Sequence, residues 1–342
     1  MPAARLKDIA AHAGVSVMTV SKALRGATDV APQTKARIRA LAQQMGYEPN
    51  SVAQGLRNRT TRLLGLILPT VANPIYSRTV AAIVECAHDL GYDLVISHSL
   101  GMVDREETCI RRFLSRRVDG MFIFPVYRMA PQAAIYQELL RRRTPTVILG
   151  HRAPFCAGFC NVESDDISGS LEVTRHLISL GHKRIAFLCG ITPAPWAQER
   201  LEGYRRGLRE AGLELDDGLI FNAGGMIEEG ETAALQMLNE STKMTAIQAA
   251  SDLVAIGAAN VLLKQGLQIP GDVSIAGFGN VLTAEHYRVP LTTVRQPKWR
   301  LGVAAIEMMQ KVIRGEQPES RRLPAELIVR SSAGPPRLEA VL

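Results

Sequence analysis

No stretch of this 342-residue chain holds the roughly 20 consecutive apolar residues that a bilayer-crossing helix needs, and Met1 to Lys7 has no apolar core of a secretory leader. The chain is therefore expected in the cytoplasm, with no membrane partner. Cysteine is scarce and odd in number. Cys86, Cys109, Cys156, Cys160 and Cys189 include no C-x-x-C pair, so a disulfide framework or zinc site has little support. Cys156 and Cys160 read either as a redox pair or as buried thiols, and the second reading is preferred. The short catalytic motifs are missing too: there is no G-x-x-x-x-G-K-[ST], no H-E-x-x-H and no G-x-S-x-G. The nearest approach is "IAGFGN", residues 275–280, where Gly277-Phe278-Gly279 runs on into Asn280, Val281 and Leu282 without the third glycine of a dinucleotide fingerprint. No catalytic residue, metal ligand or cofactor is assigned, and the chain is not read as an enzyme.

What is present is the balance of a globular protein, 46% hydrophobic and 21% charged, with a net charge of +7. The charge is unevenly placed. Residues 1–60 hold nine Lys/Arg against Asp8, Asp29 and Glu48, so this segment carries +6 and the remaining 282 residues only +1. A basic head on a nearly neutral body points to nucleic acid for the head and a different task for the body.

In "LKDIAAHAGVSVMTVSKAL" the apolar positions Leu6, Ile9, Ala10 and Ala13 share one helical face and Gly14 supplies a tight turn. Ser16 is placed to cap a second helix whose buried stripe is Val20 and Leu24. Two short helices joined through glycine make a helix-turn-helix pattern. The second helix then turns Val17, Met18, Ser21, Lys22 and Arg25 outward, with its N-terminal end able to enter a major groove. Lys22 can reach guanine acceptors or phosphate, and Val17 and Met18 can touch thymine methyls. A third helix follows from Pro32, with Ile38, Leu41 and Met45 on its core face. In "YEPNSVAQGLRNRTTR", Asn50 can cap about two turns carrying Val52, Ala53 and Leu56. A helix that short, containing Gly55, is marginal alone and forms only when something holds it.

Beyond residue 61 apolar strand-like runs ("LLGLIL", "YDLVIS", "GMFIFP", "TVILG", "RIAFL", "TAIQAA", "DVSIAGF") alternate with helical stretches expected at 74–90, 104–117, 131–142, 166–180, 196–212, 228–240, 251–265 and 297–314. Such alternation implies parallel sheet covered on both faces, and the restarts at "LGYDL" and "LGHKRIAFL" imply two sheets. Ligands of open α/β sheets bind outside the carboxyl ends of strands. Candidates there are Asn73 and Tyr76, either lining a pocket or making a turn, and Arg128, more often a solvated charge. Asp252 either accepts from a ligand hydroxyl or caps its own helix, and Trp196 stacks on a ligand or packs in the core.

The segments "LKDIAAHAGVSVMTVSKALRG", "MGYEPNSVAQGLR", "LLGLILPTVANPIY", "LGHKRIAFLCG", "ERLEGY", "SDLVAIGA", "IPGDVSIAGF" and "PLTTVRQP", in this order, resemble the lactose-repressor (LacI/GalR) family of bacterial transcription regulators over essentially the whole chain. The resemblance implies a small all-α helix-turn-helix head plus an α/β two-lobed body like a type I periplasmic binding protein. It divides the chain into a DNA-binding domain at 1–48, a hinge helix and linker at 49–61, a first lobe at 62–161 plus 291–321, and a second lobe at 162–290 plus 322–342. It implies a regulator, usually a repressor of carbohydrate-related genes. Such a protein binds a palindromic double-stranded DNA operator as a homodimer and is controlled by a small-molecule effector between the lobes. By matching position, Val17, Met18 and Lys22 read bases while Thr19 and Ser21 hold phosphate or position the helix, and Ser16 and Arg25 complete the DNA-binding set. Asn50, Ala53, Leu56 and Arg57 belong to the hinge, with Leu56 as a minor-groove wedge. His151, Arg152 and above all Arg200 match effector contacts, and the resemblance puts Gly279 and Asn280 on the same cleft. Many relatives carry an acidic residue where this chain has Gly279. That loss, with Arg200, His151 and Arg152 retained, leads to the expectation of an acidic effector such as a sugar acid or sugar phosphate.

Overall fold

The computed structural model describes residues 4–47, 60–240 and 242–337, and the chain divides into two compact units, Met1–Thr61 and Arg62–Leu342. The first unit contains α1 (Leu6–Ala13), α2 (Val17–Leu24) and α3 (Pro32–Gln44). Their core is Ile9, Ala10, Ala13, Val20, Ala23, Val30, Ile38 and Ala42. Gly14 ends α1 in the left-handed region at φ 65°, where a residue without Cβ costs least, and its N–H closes onto the last turn. The Ser16 hydroxyl accepts from Thr19 N at 3.1 Å and starts α2. The Arg37 guanidinium donates to Ala13 O at 2.6 Å, satisfying a carbonyl at the end of α1.

The second unit is a two-lobed α/β body. Its first lobe is a parallel six-stranded sheet of β1 (Leu63–Leu68), β2 (Asp93–His98), β3 (Gly120–Ile123), β4 (Thr146–Leu149), β5 (Asn161–Ser164) and β11 (Arg321–Leu323), in the order β11-β5-β4-β3-β1-β2. Helices α4 (Ser77–Asp89) and α12 (Lys298–Ile313) cover one face through Ile83, Ala87, Met308 and Met309. Helices α5 (Val103–Arg116) and α6 (Ala134–Arg141) cover the other through Ile110, Phe113, Ile135 and Leu139. The second lobe holds β6 (Ile185–Cys189), β7 (Ile220–Asn222), β8 (Ala246–Ala249) and β9 (Ser274–Ala276), parallel in the order β7-β6-β8-β9. The antiparallel pair β10 (Thr293–Arg295) and β12 (Glu326–Ile328) adjoins β9 through bridges at Thr292 and Arg295. Helices α7 (Asp166–Ser179) and α8 (Pro195–Glu210) pack on one face, α9 (Ile227–Asn239) and α10 (Asp252–Lys264) on the other, with α11 (Leu282–Glu285) after β9.

Strands buried on both faces are continuous apolar runs and most of those visible in the sequence are of this kind; β1, for instance, is buried over five of its six residues, while the edge strand β2 is only partly covered. The short strands β5, β7, β10, β11 and β12 carry no such run and were not foreseen. Sheet membership changes after Ser164, after Arg295 and after Leu323, a few residues past the crossings expected near 161, 290 and 321. The backbone pairing of "NVES" with "RRL", not hydrophobicity, decides where those strands leave the first sheet.

Helices α9 and α10 cross backbone to backbone at two glycines. A Cβ on Gly257 would stand 2.1 Å from Ile227 O, and one on Gly230 would stand 2.4 Å from Val254 O. Gly257→Ala is therefore expected to destabilise the body by about 1–3 kcal/mol, because backbone atoms rather than a flexible side chain must give way. A denaturant midpoint unchanged from the parent would contradict this close crossing.

Candidate functional site

The carboxyl ends of the strands of both lobes face a cavity of about 430 Å³. Its first-lobe wall is built by residues at and after the ends of β1 to β5, including Asn73, Tyr76, Phe124, Tyr127, His151 and Glu163, with Asp166 at the start of α7 beside them. The second-lobe wall follows β6 to β9, with Trp196, Arg200, Glu229, Asp252 and Phe278. Gln296 and Lys298 reach in from the crossing segment. Aromatic rings supply much of this surface. Tyr76 meets Phe124 edge-on at 4.7 Å, and Trp196, left open between core packing and stacking, is part of the wall.

Arg200 is the electrostatic centre. It projects from α8 between two rings, 3.8 Å from the Phe278 centroid and 4.6 Å from the Trp196 centroid. Its Nε and Nη2 donate to Asp166 Oδ2 at 2.9 and 2.7 Å, and Nη1 donates to Ala250 O at 2.5 Å. Three of its five N–H groups are thereby fixed in a planar fork. Asp166 is fully buried at the first turn of α7, where it also accepts from the Ser164 hydroxyl at 2.5 Å. Asp166 was not singled out in the sequence. In "SDDISG" it reads as a helix start, and the residue doing that capping is its neighbour Asp165, which accepts from Ser168 N at 3.2 Å.

Asp252 lies buried on the opposite side. The alternative that it caps its own helix is excluded, since Ser251 accepts from Val254 N at 3.2 Å. Asp252 instead reaches across to the β9 loop, accepting from Val281 N at 2.8 Å and from the Thr293 hydroxyl at 2.5 Å. Burial pushes its carboxyl above the usual carboxylate range, against the pull of Thr293, Val281, Lys298 and Arg200. Lys298, also missed, opens α12 and donates to the carbonyl oxygens of Gly279 and of Asn280, the latter at 3.0 Å. Burial lowers its ammonium to about 8, with Asp252 opposing.

Several expected contacts are placed elsewhere. Arg128 is outside the cavity wall, ion-paired with the buried Glu106 of α5 and lying 4.6 Å over the Phe155 ring. A carboxylate sealed in a core needs that counter-charge. Arg152 is exposed and donates to Ala157 O and Phe159 O at 3.2 and 3.3 Å, bracing its own loop. Gly279 and Asn280 do not line the cavity. At φ 134° a Cβ on Gly279 would meet Ile75 Cδ1 at 2.8 Å and Asp252 Oδ2 at 3.4 Å, so Asp252 already fills the space a side chain there would take. The Asn280 carboxamide accepts from Arg330 at 2.8 Å. Asn73 and Tyr76 do line the wall, and Asn73 also makes its turn, accepting from Ile75 N at 3.0 Å.

These pairings engage the cations on which the expectation of an acidic effector rested. Arg200 is committed to Asp166, His151 Nε2 stands 3.0 Å from Glu199 Oε2, and Arg152 faces its loop. Among the described lining residues the carboxylates of Glu163, Asp166, Glu229 and Asp252 outnumber the cations of Arg200 and Lys298. An anion meets no cation there that lacks a protein carboxylate or carbonyl partner.

On the head, α2 exposes Val17 and Met18, at 46% and 64%, as unusual apolar side chains on a basic surface. Lys22 is held by Asp29 from the turn before α3, and that hydrogen bond lowers the Asp29 carboxyl. Arg25 folds back, Nε donating to Ser21 O at 2.9 Å, and Thr19 shares a hydroxyl contact with Ser16 at 2.9 Å. Asn50, Ala53, Leu56 and Arg57 lie outside the described residues. All five cysteines are free thiols. Burial pushes the Cys156 thiol to about 11, which makes it a poor redox partner. No helix among the described residues is long and apolar enough to cross a membrane.

Residues 5–50 match the model of bacterial regulatory proteins, lacI family, and residues 174–333 match a periplasmic binding protein-like domain. The chain is 30% identical over 332 residues to the HTH-type transcriptional repressor CytR of Escherichia coli strain K12, covering 96% of each chain. It is 29% identical to the HTH-type transcriptional regulator DegA of Bacillus subtilis strain 168, over 96% of this chain and 97% of DegA. Among solved structures it is similar to the Lac repressor dimer bound to operator and the anti-inducer ONPF, with a TM-score of 0.86, 28% identity, and 97% and 99% of the two chains covered. A CelR–cellobiose complex matches with a TM-score of 0.73 at 29% identity over 96% and 99%.

Proposed function

Because the chain belongs to the lacI family of bacterial regulatory proteins, we propose that this transcriptional regulator binds a palindromic operator as a homodimer and is switched by a neutral, hydroxyl-bearing ring compound. It is a DNA-binding protein and not an enzyme. Residues 1–48 form the reading head, with Val17, Met18 and Lys22 toward base edges and Ser16, Thr19, Ser21 and Arg25 toward phosphates. Residues 49–61 join head to body, with Leu56 as the wedge that bends the operator and Asn50, Ala53 and Arg57 around it. The genes it represses are carbohydrate-related or nucleoside-related, and its place of action is the cytoplasm.

The observation that carries the effector reading is the cavity walled by both lobes, where Arg200 is fixed between aromatic rings and every lining cation has a protein partner. Rings present faces for the apolar side of a sugar or nucleoside, and Arg200, Asp252 and Asn73 present hydrogen-bonding groups to its hydroxyls. Effector bound between the lobes favours one lobe arrangement over another and so changes operator affinity. ONPF and cellobiose, named with two of the structural neighbours, are consistent with such a compound.

A thermal-shift screen of neutral sugars, nucleosides, sugar acids and sugar phosphates tests this reading. A true effector present at about 100 times its Kd stabilises the native state by about 2.7 kcal/mol and raises Tm visibly. Neutral compounds are expected among the hits. Hits confined to acids and phosphates would overturn the neutral assignment, and Arg200→Ala should abolish the shift for any genuine ligand of this cavity.

A further inference from the structure

Glu199 belongs to α8 of the second lobe, yet its side-chain hydrogen bonds go to the first. Its Oε2 stands 3.0 Å from His151 Nε2 and accepts from Arg322 Nη1 at 3.2 Å, and its Oε1 accepts from Arg322 Nη2 at 2.6 Å. Arg322 lies on β11 and is held in turn by Glu163 of the neighbouring β5, Nε to Oε1 at 2.8 Å. The cluster runs from the cavity wall, which includes His151 and Glu163, outward to solvent. The exposure of the side chains rises from 5% for His151 through 19% for Glu199 to 39% for Arg322. Both lobes therefore meet at one carboxylate on the rim of the cavity. Lys298 makes a second tie of the same kind, from the first-lobe helix α12 to the carbonyls of the β9 loop.

We propose that Glu199, His151 and Arg322 form a proton-dependent clasp that holds the lobes closed over the effector cavity, so that lobe closure, and with it the response to effector, shifts with pH. The clasp rests on the cavity being the effector site, but it is a property of the protein alone and is testable without any effector.

The dependence on protonation follows from what surrounds the imidazole. Facing it are Glu163 on β5, Asp166 on α7, Glu199 on α8 and, through Glu199, Arg322 on β11. Arg152 shares its loop, and the Tyr127 hydroxyl donates to its carbonyl at 2.8 Å. Burial opposes the imidazolium, but the Glu199 hydrogen bond and the charges of Asp166, Glu199 and Glu163 outweigh it and hold His151 above its ordinary value of 6.5. The same contacts, with Arg322, pull the Glu199 carboxyl below its usual range against the effect of burial. A raised imidazole contributes stability in full below 6.5 and loses it as pH rises through the folded value. A neutral ring can still donate one N–H, but a charge-assisted bond is about twice as strong. The partly exposed Arg322 pair alone is screened and weak. Closure is therefore strongest in mild acid and relaxes as the ring loses its proton.

The chain has two tryptophans, Trp196 in the cavity wall one turn before Glu199 and the half-exposed Trp299. In a Trp299→Phe background, Trp196 emission reports lobe opening in the full-length protein. As pH rises from about 5 to beyond about 8, the emission is expected to move to longer wavelength and to become more accessible to iodide. The corresponding change in the open-to-closed ratio is on the order of tenfold. Glu199→Gln should show the opened spectrum across the whole range, and His151→Gln should abolish the transition while leaving folding intact by circular dichroism. A parent spectrum indifferent to pH, or a transition that survives in either variant, overturns the clasp. Survival in both variants would also assign the titration to Lys298 or a thiol. None of these results bears on whether the cavity binds the effector, which the thermal-shift screen decides separately.

Discussion

Asp166→Ala is expected to cost about 3–5 kcal/mol of stability, the range for breaking a buried ion pair by removing one partner. The reason is the position of Arg200, which is 7% exposed and lies between the rings of Trp196 and Phe278. Without Asp166 its guanidinium keeps only Ala250 O among its hydrogen-bond partners, and the Ser164 hydroxyl loses its acceptor. An uncompensated buried charge either draws water into the cavity or forces the side chain out, and either response disorders the cavity wall. Urea unfolding read by tryptophan emission reports the body alone, since both tryptophans lie in it. Pairing Asp166→Ala with Arg200→Met should restore part of the loss, because the cost lies in the orphaned charge more than in the pair itself. A loss below about 1 kcal/mol for Asp166→Ala would show that the pair is solvated in solution.

Affinity for DNA should fall by roughly a thousandfold or more as salt rises from about 50 to about 200 mM, as for a protein making about 6–10 phosphate contacts. Residues 1–60 carry +6 of the total charge of +7, so nearly all of this response belongs to the head and its linker. Fluorescence anisotropy on a labelled random-sequence duplex measures the response without knowledge of the operator, because counterion release is indifferent to sequence. A flat profile would remove the electrostatic assignment of the head. Lys22→Met should reduce the slope of log K against log salt by about one per protomer if Lys22 meets a phosphate. It should leave the slope nearly unchanged, while relaxing sequence preference, if Lys22 meets a base.

The elements of the molecule were legible wherever one physical pattern dominated. Ile9, Ala10 and Ala13 at helical spacing, Gly14 at the turn and the Ser16 cap are local facts, and α1 and α2 are where they place them. The buried strands β1, β3 and β4 are apolar throughout because helices cover both faces. The polar strands β5 and β11 were illegible, since nothing in "NVES" or "RRL" distinguishes a strand from a loop until they pair.

The site divides along the same line. Asp252, Tyr76 and Asn73 were found because they follow recognisable strand ends, and His151 and Arg200 because they match positions of the resembled family. Arg128 and Arg152 were misplaced for the complementary reason: a cation at a strand end has no stated partner in a sequence, and here Glu106 and the carbonyls of Ala157 and Phe159 take them away from the cavity. Asp166, Glu199 and Lys298 went unnoticed, although Glu199 directly precedes Arg200. Their partners lie 34, 48 and 19 residues away, and no local pattern expresses a pairing over that distance.

Composition, charge placement and periodicity by themselves determined a basic helix-turn-helix head and a two-sheet parallel α/β body, and pointed to the carboxyl ends of its strands, where the cavity lies. These follow from interactions between residues a few positions apart and from the burial each strand demands. Which charges in the cavity remain available to a ligand was decided only by the tertiary structure. Desolvation forces each buried ion to find a partner, and the partner is whichever group the fold brings within about 3 Å. That requirement paired Arg200 with Asp166, and it brought Glu199 from one lobe to His151 and Arg322 of the other.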